Sequence, residues 1–278
     1  MRIGRIMNTF RHMAIASLIL SATVANAIDY KPWYGRIFEI DASADILMQA
    51  FTHVDTKHGS GKHSEFDAFI DLSASVEVWD GIAAQLEVIA AQTRKHHFNM
   101  DAIRLTGKYQ WMNDIVGDPV SLSTGLTLST IFPACRRNLA TFDHGGVACE
   151  GHIAIGREVS CMQFWTSRFW GVFAIGIADV GSPWLRANFA WEHNWWDRHR
   201  VELAADTIWG LGRNGLDLHH FHGYGPVQYQ AIDLAVRYNY QFDCGLVLGA
   251  GYGYRVYARY APENANFIML RVMYPFGL

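Results

Sequence analysis

From Phe38 the even positions of the chain read Phe38, Ile40, Ala42, Ala44, Ile46 and Met48, while the odd ones read Glu39, Asp41, Ser43 and Asp45 before Leu47 and Gln49. An alternation of two residues is the period of an extended strand whose two faces meet different surroundings. The same phase returns in Ala68, Ile70, Leu72, Ala74, Val76 and Val78, set against Asp67, Asp71, Ser73, Ser75 and Glu77. Asp80-Gly81 then supplies a tight turn, and Ala84, Leu86 and Val88 resume opposite Gln85 and Glu87. Followed to the end, the pattern predicts twelve strands, at 36–51, 66–79, 82–95, 101–112, 120–132, 152–161, 168–178, 184–194, 199–208, 228–242, 246–258 and 265–276. Many exceed the roughly 5–6 residues usual for globular strands and reach the roughly 9–11 that a tilted membrane-spanning strand needs.

The connections are unequal. Those after odd-numbered strands include long stretches at 52–65, 133–151 and 209–227, whereas those after even-numbered strands stay short, with Asp80-Gly81, Trp195 to Arg198 and Asp243 to Gly245 the shortest. Long loops at one end and tight turns at the other are the habit of outer-membrane barrels. Trp33, Trp111, Trp165, Trp170, Trp195 and Trp196, with Phe242 and Phe276, fall beside the chain start or a short turn, as an aromatic girdle on the periplasmic side requires. Trp79 and Phe69 depart from this, because their parity points them inward.

Residues 1–27 read as a cleavable secretory signal. Arg2, Arg5 and Arg11 form a positive leader, Met13 to Val24 is apolar apart from small Ser and Thr, and Ala25-Asn26-Ala27 is a cleavage site. The apolar stretch is shorter than the roughly 20 residues of a spanning helix. No Cys follows the cleavage site, so a lipoprotein anchor is not indicated. The expected mature chain is one domain, 28–278.

Composition narrows the class. The chain has 278 residues, 50% hydrophobic and 18% charged, which excludes disorder. Net charge is −3, and −6 once the three leader arginines are removed, so nucleic acid is not an expected partner.

The last predicted strand reads Phe267-Ile268-Met269-Leu270-Arg271-Val272-Met273-Tyr274-Pro275-Phe276. With the cleavable signal, the alternating strands and the loop and turn asymmetry, the chain resembles the Gram-negative outer-membrane β-barrel class. That resemblance implies an all-β fold, an antiparallel transmembrane β-barrel of about twelve strands. It also implies location in the outer membrane, contact with its lipid, and recognition of the terminal aromatic by the outer-membrane insertion machinery. Gly277-Leu278 after Phe276 departs from the usual ending.

Backbone groups in hydrocarbon must pair within the protein, and strands achieve this by closing into a barrel with an apolar outside and a second face inside. Parity assigns Glu39, Asp41, Asp45, Asp67, Asp71, Glu77 and Glu87 to the inside, opposite Arg104 and Lys108 on the fourth strand. Arg186, Glu192, Glu202, Asp206, Asp233, Arg237, Arg255 and Arg271 complete the ring. Candidate pore-lining residues are therefore Glu39, Asp41, Asp45, Asp67, Asp71, Glu87, Arg104, Lys108, Glu202, Asp206, Asp233, Arg237 and Arg271. Opposed charges orient polar solutes in a wet lumen, or close a dry one as internal ion pairs; spacing alone leaves both open.

Cys135 and Cys149 share one predicted outer loop in an oxidising compartment and form a candidate disulfide. Cys161 and Cys244 lie near different turns and are candidates for disulfide cross-links to envelope proteins. Ten histidines, at 53, 58, 63, 96, 97, 144, 152, 219, 220 and 222, cluster at the predicted outer end. His219, His220 and His222 are weak metal candidates without a closed ligand set. No Walker glycines and no HExxH motif are present, so no catalytic residue and no cofactor is assigned.

The leading reading is a porin-like channel for small polar solutes or ions. A closed barrel whose outer loops bind a partner or ligand, or serve the envelope structurally, is the alternative, and a lipid-modifying enzyme the third.

Overall fold

The computed structural model describes residues 30–93, 98–133, 136–161 and 164–277. The expected export signal, Cys135, His96 and His97 lie outside the described residues. The long strands are β1 (Glu39–Thr56), β2 (Gly59–Trp79), β3 (Ile82–Gln92), β4 (Asn99–Met112), β5 (Ser121–Ile131), β6 (Val147–Cys161), β7 (Phe164–Ala178), β8 (Trp184–Trp195), β9 (His199–Gly210), β10 (Gln230–Gln241), β11 (Val247–Arg259) and β13 (Asn266–Gly277). A two-residue strand, β12 (Pro262–Glu263), sits beside the end of β1. Each long strand pairs antiparallel with its neighbours, and β1 pairs with both β2 and β13, so the sheet closes without an edge. The result is a closed antiparallel barrel of twelve long strands.

Alternation decides the faces. Ile46, Leu72, Leu105, Ile155, Phe173, Leu234 and Leu270 are exposed on the outside, where only lipid would suit so continuous an apolar belt. Asp45, Asp71, Glu87, Lys108, Glu202, Asp206 and Asp233 are buried inside.

Two expectations are corrected. Residues 52–65 are not a loop: β1 runs to Thr56 and β2 starts at Gly59, leaving only Lys57 and His58 as the turn. These strand ends hold His53, Ser60 and Lys62 where no lipid face constrains the sequence, so the apolar alternation vanishes while the ladder continues. A bulge at Thr52 brings Val54 inward beside Phe51, where both pack under the outer loops. Trp79 is not inward: a register shift between Glu77 and Trp79 reverses the parity at Val78, and Trp79 is 71% exposed. Phe69 has no such bulge and is buried inside.

The girdle also divides. Trp111, Trp195, Trp196, Phe242 and Phe276 are exposed at the turn end. Trp33 and Trp170 are buried inside the barrel, and Trp165 lies against the guanidinium groups of Arg168 and Arg200, at 4.3 and 5.3 Å from its ring.

Candidate functional site

The lumen is not filled by wall residues alone. The segment before β1, from Tyr30 to Arg36, runs up inside the barrel as a strap. Its aromatic residues pack against Ala154, Trp170, Val172, Ala190, Ala204 and Ala235, inward residues that are mostly small and hollow out that side. Gly156 completes the cradle, since a Cβ there would stand 2.7 Å from Trp33 Cη2, 2.8 Å from Pro32 Cγ and 3.0 Å from the Phe169 carbonyl oxygen. Polar bonds fix the height of the strap. Tyr30 Oη donates to Glu150 Oε1 at 2.6 Å, Lys31 Nζ meets Glu192 at 3.1 Å and Glu202 at 3.7 Å, and Trp33 Nε1 donates to Asp114 Oδ1 at 2.9 Å. Asp114 also accepts from Ser121 Oγ and from the Glu158 backbone N–H. Burial pushes its carboxyl up, but these three donors prevail and hold it below the usual carboxylate range.

Above the strap, the inward charges meet as cross-strand pairs. Asp45 accepts from Arg271 through both oxygens, at 2.7 and 3.0 Å, and Asp233 accepts from Arg255 in the same fork, at 2.7 and 2.9 Å. Glu202 pairs with Arg237 at 3.0 Å, and Glu87 faces Arg104 at 3.6 Å. In all four the partners stand directly opposite on neighbouring strands, so strand order and parity specify them. Asp206 accepts from Asn188 Nδ2 at 2.7 Å. Lys108 lies over the Tyr34 ring of the strap at 5.5 Å, and Asp41 lies beside Gly35. Asp67 is buried opposite Gln49, whereas Glu39 is half-buried at the turn end opposite Gly277. Thus most candidate lining residues share one interior, with Glu39 at its rim.

The loops close the other end. In the β5–β6 and β9–β10 connections, Leu139, Ala140, Leu216, Tyr224 and Tyr229 are buried against inward Phe51, Phe69, Ile208 and Phe267. Phe142 stacks on Tyr229 at 4.9 Å, and Arg255 spans from its own aspartate to the Phe142 and Phe267 rings at 4.9 and 5.2 Å. His144 holds the cap to the wall, with Nδ1 3.0 Å from the Ser182 carbonyl and Nε2 2.8 Å from Tyr229 Oη. Burial pushes its pKa down to about 4, so the ring is neutral at pH 7, donating from Nδ1 and accepting at Nε2. Burial, reinforced by Asp101, pushes the adjacent Asp143 carboxyl up to about 7.

Between strap and cap lies a chamber of about 120 Å³. Its wall carries Asp71, Asp101, Asp206, Arg104 and Arg186, and its roof is Phe142 with Phe69 and Phe267. A smaller annex beside it is lined by Tyr30, Glu150, His144 and Trp184.

Sequence reasoning missed the strap, Asp101 and the aromatic cap. Asp101 and Ala102 are both buried because a register shift near Ala90 breaks the phase of β4 there. Trp170 carried a readable signal, since it shares the phase of Arg168, Ala174 and Gly176 rather than of Phe169, Phe173 and Ile175.

The remaining candidates lie elsewhere. Cys149 is on β6 opposite Leu128, while its expected partner Cys135 is outside the described residues. Cys161 and Cys244 are exposed thiols at the turn end. His219 and His220 occupy a short 3-10 turn capped by Asp217, whose carboxyl is held well below its usual range by Lys57 at 2.6 Å and by the His219 N–H. Among the described residues no three His, Cys, Asp or Glu side chains gather to hold a metal ion, those of His219, His220 and His222 included.

This geometry has solved counterparts. The fold is that of an outer-membrane β-barrel. An outer membrane channel from Pseudomonas putida F1 superposes with a TM-score of 0.61 at 9% identity, over 91% of this chain and 100% of that one. The NanC porin gives 0.56 at 10% identity, over 84% and 98%, and the KdgM porin 0.52 at 11%, over 84% and 99%. No protein-family model and no curated protein sequence matches the chain. The likeness is therefore one of architecture.

Proposed function

We propose that the chain, freed of residues 1–27 on export, is an outer-membrane channel for small polar solutes or ions, held shut in this conformation by the strap below and the loop cap above. The observation that carries the reading is the pairing of an apolar outer belt with an interior of ionised side chains around a chamber. A barrel kept only for its outer surface has no use for such an interior. Channels and porins of like fold support the same reading. Solutes pass when the strap and cap leave the lumen, and the charged rows then act as the selectivity elements.

A second reading rests on the occlusion itself. A barrel filled at both ends also suits a static scaffold presenting its outer loops to a partner.

Planar bilayers separate the two. The channel reading expects rare or small openings from the wild type, frequent ones from Gly156→Val, which drives Trp33 out of its cradle, and altered ion selectivity from Asp45→Asn or Arg104→Gln in that background. Electrical silence of Gly156→Val in a preparation that still shows the folded, heat-modifiable gel band rejects the channel.

A further inference from the structure

Glu192 on β8 and Glu202 on β9 stand directly opposite one another, both inward and only 2% and 3% exposed. Like charges side by side in a sheet repel, and burial leaves little water to screen them. A cation that is not part of the wall answers both. Lys31 Nζ of the strap donates to Glu192 Oε2 at 3.1 Å and lies 3.7 Å from Glu202 Oε2. The same ammonium stands 4.8 Å from the centre of the Trp170 ring, within the range of a cation–π contact. Two carboxylates and an aromatic face therefore converge on one nitrogen.

The wall guanidinium groups nearby are engaged in other directions. Arg168, across the β7–β8 ladder from Glu192, gives Nε and Nη2 to Glu158 at 2.8 and 2.6 Å and lies against the Trp33 and Trp165 rings. Arg200 bonds Gln241 and adds its field at Glu192. Arg237 donates to Glu202 Oε1, leaving Oε2 towards Lys31. The socket thus keeps a place for an ammonium apart from the places of these arginines. Its three walls are strand residues held by the backbone ladder, whereas Lys31 comes on a segment tied mainly by side chains. When the strap leaves, the socket stays and its occupant goes. The Lys31 side chain is 24% exposed, so the socket is open on one side.

We infer that Glu192, Glu202 and Trp170 form a binding site for the primary ammonium group of a small solute, filled in the closed barrel by the strap's own Lys31. The carboxylates refuse an anion, and a neutral hydroxyl lacks the charge that they and the ring face select. Lys31 and a solute ammonium compete for one place, so the solute binds the strap-free barrel better than the closed one and shifts the population towards it. This deepens the channel reading: the site stands without it, but the solute's part in opening rests on it.

The test compares n-propylammonium, which matches the end of the lysine side chain, with 1-propanol. Each is titrated at pH 7 and constant ionic strength into the full chain in detergent and followed by calorimetry against detergent blanks. Lys31→Ala empties the socket whether or not the strap stays docked. It should bind n-propylammonium with a dissociation constant on the order of 10 mM, as befits so small a ligand, with 1-propanol and the wild type each at least tenfold weaker. Adding Glu192→Gln to Lys31→Ala should abolish the preference for the amine, each variant being checked for the folded, heat-modifiable band. Binding to Lys31→Ala no tighter than to the wild type, equal binding of amine and alcohol, or a preference that survives Glu192→Gln overturns the site. In planar bilayers n-propylammonium should raise the opening frequency of the wild type and not that of Lys31→Ala, where both strap positions offer the socket alike; a conducting wild type indifferent to the amine overturns the competition. The two readings fail separately: a conducting Gly156→Val barrel whose Lys31→Ala counterpart shows no amine binding rejects the site alone, and selective binding in a barrel that never conducts rejects the channel alone.

Discussion

Removing the Asp233 carboxylate tests whether the interior is dry enough for its ion pairs to matter. Arg255 is 2% exposed and Asp233 5%, and the two bonds of 2.7 and 2.9 Å form a fork with little solvent to replace it. Asp233→Ala leaves a buried guanidinium without its principal counter-charge, a change that costs about 3–5 kcal/mol when nothing compensates. Asp206 stands directly across the β9–β10 ladder from Asp233 and also lines the chamber, so it recovers part of the loss. The expected destabilisation is therefore near the lower end, about 3 kcal/mol. Asp233→Leu combined with Arg255→Met replaces the pair by apolar groups of similar length and should return to within about 1 kcal/mol of the wild type, because both desolvation penalties disappear together. Urea unfolding in lipid vesicles, followed by tryptophan fluorescence and gel mobility, measures each variant of the cycle. If Asp233→Ala unfolds within about 1 kcal/mol of the wild type, or if the double variant is as weak as the single one, the interior is wet at this height and the pair is not a structural element.

The cap carries two groups with opposite proton linkage. His144 has its pKa lowered to about 4 from an unfolded value near 6.5, so the docking it supports is complete above pH 6.5 and is lost as pH falls towards 4. Asp143, raised to about 7, works the other way, favouring docking at low pH and opposing it as pH rises from about 4 to 7. Asp101, Arg104 and Arg136 face Asp143, and Arg186 and Glu150 face His144. Protease protection of the cap should accordingly vary little with pH in the wild type, fall with acidification in Asp143→Asn, and fall with alkalinisation in His144→Gln; parallel slopes in the two variants contradict the assignment. Trp33→Phe removes the bond to Asp114 and should weaken strap docking by about 1–3 kcal/mol, read as a higher open frequency in bilayers, and unchanged gating contradicts it. A side chain at Gly176 would meet the Trp184 ring, so Gly176→Val should displace that indole from Glu150 and lower the unfolding free energy by about 1–3 kcal/mol; a wild-type stability is the contrary result.

Much of the wall was legible because a strand ties side-chain direction to residue number. Asp45, Asp71, Glu87, Arg104, Glu202, Asp233, Arg237 and Arg271 point inward as parity assigns them, and for all but Asp71 neighbour order then yields their partners. Parity fails where a bulge inserts a residue. The shift at Val78 sends Trp79 outward, and the shift beside Thr52 brings Val54 in with Phe51. It is silent where chain is not strand. Tyr30, Lys31 and Trp33 have no period at all, and Phe142 and Tyr229 sit in connections whose residues carry no face. Nearness to a turn also says nothing about which side of the wall a tryptophan occupies, and for that reason Trp33 and Trp170 read as girdle when they pack inside.

The division of labour inside the barrel has an energetic reason. Twelve strands enclose more space than wall side chains fill, unlike an eight-stranded barrel whose residues meet at the axis. Larger residues on every strand would close that space permanently. Here the wall instead retreats behind Ala154, Gly156, Ala190, Ala204 and Ala235, and a separate segment occupies the room. The strap shares little of the ladder: its end makes one bridge, Ile37 to Glu77, and its other ties are side-chain bonds and ring contacts. Charge-assisted bonds of this kind contribute about 1.5–3 kcal/mol each, and the partly exposed Lys31 pair less. Their loss leaves every interstrand bond intact. Departure of the strap is therefore a local equilibrium of several kcal/mol, within reach of a minor state or a bound solute, while unfolding the wall would break the whole ladder at once. On the proposed channel reading, a filler held by side chains in a frame held by backbone lets one chain be both a sealed wall and a passage.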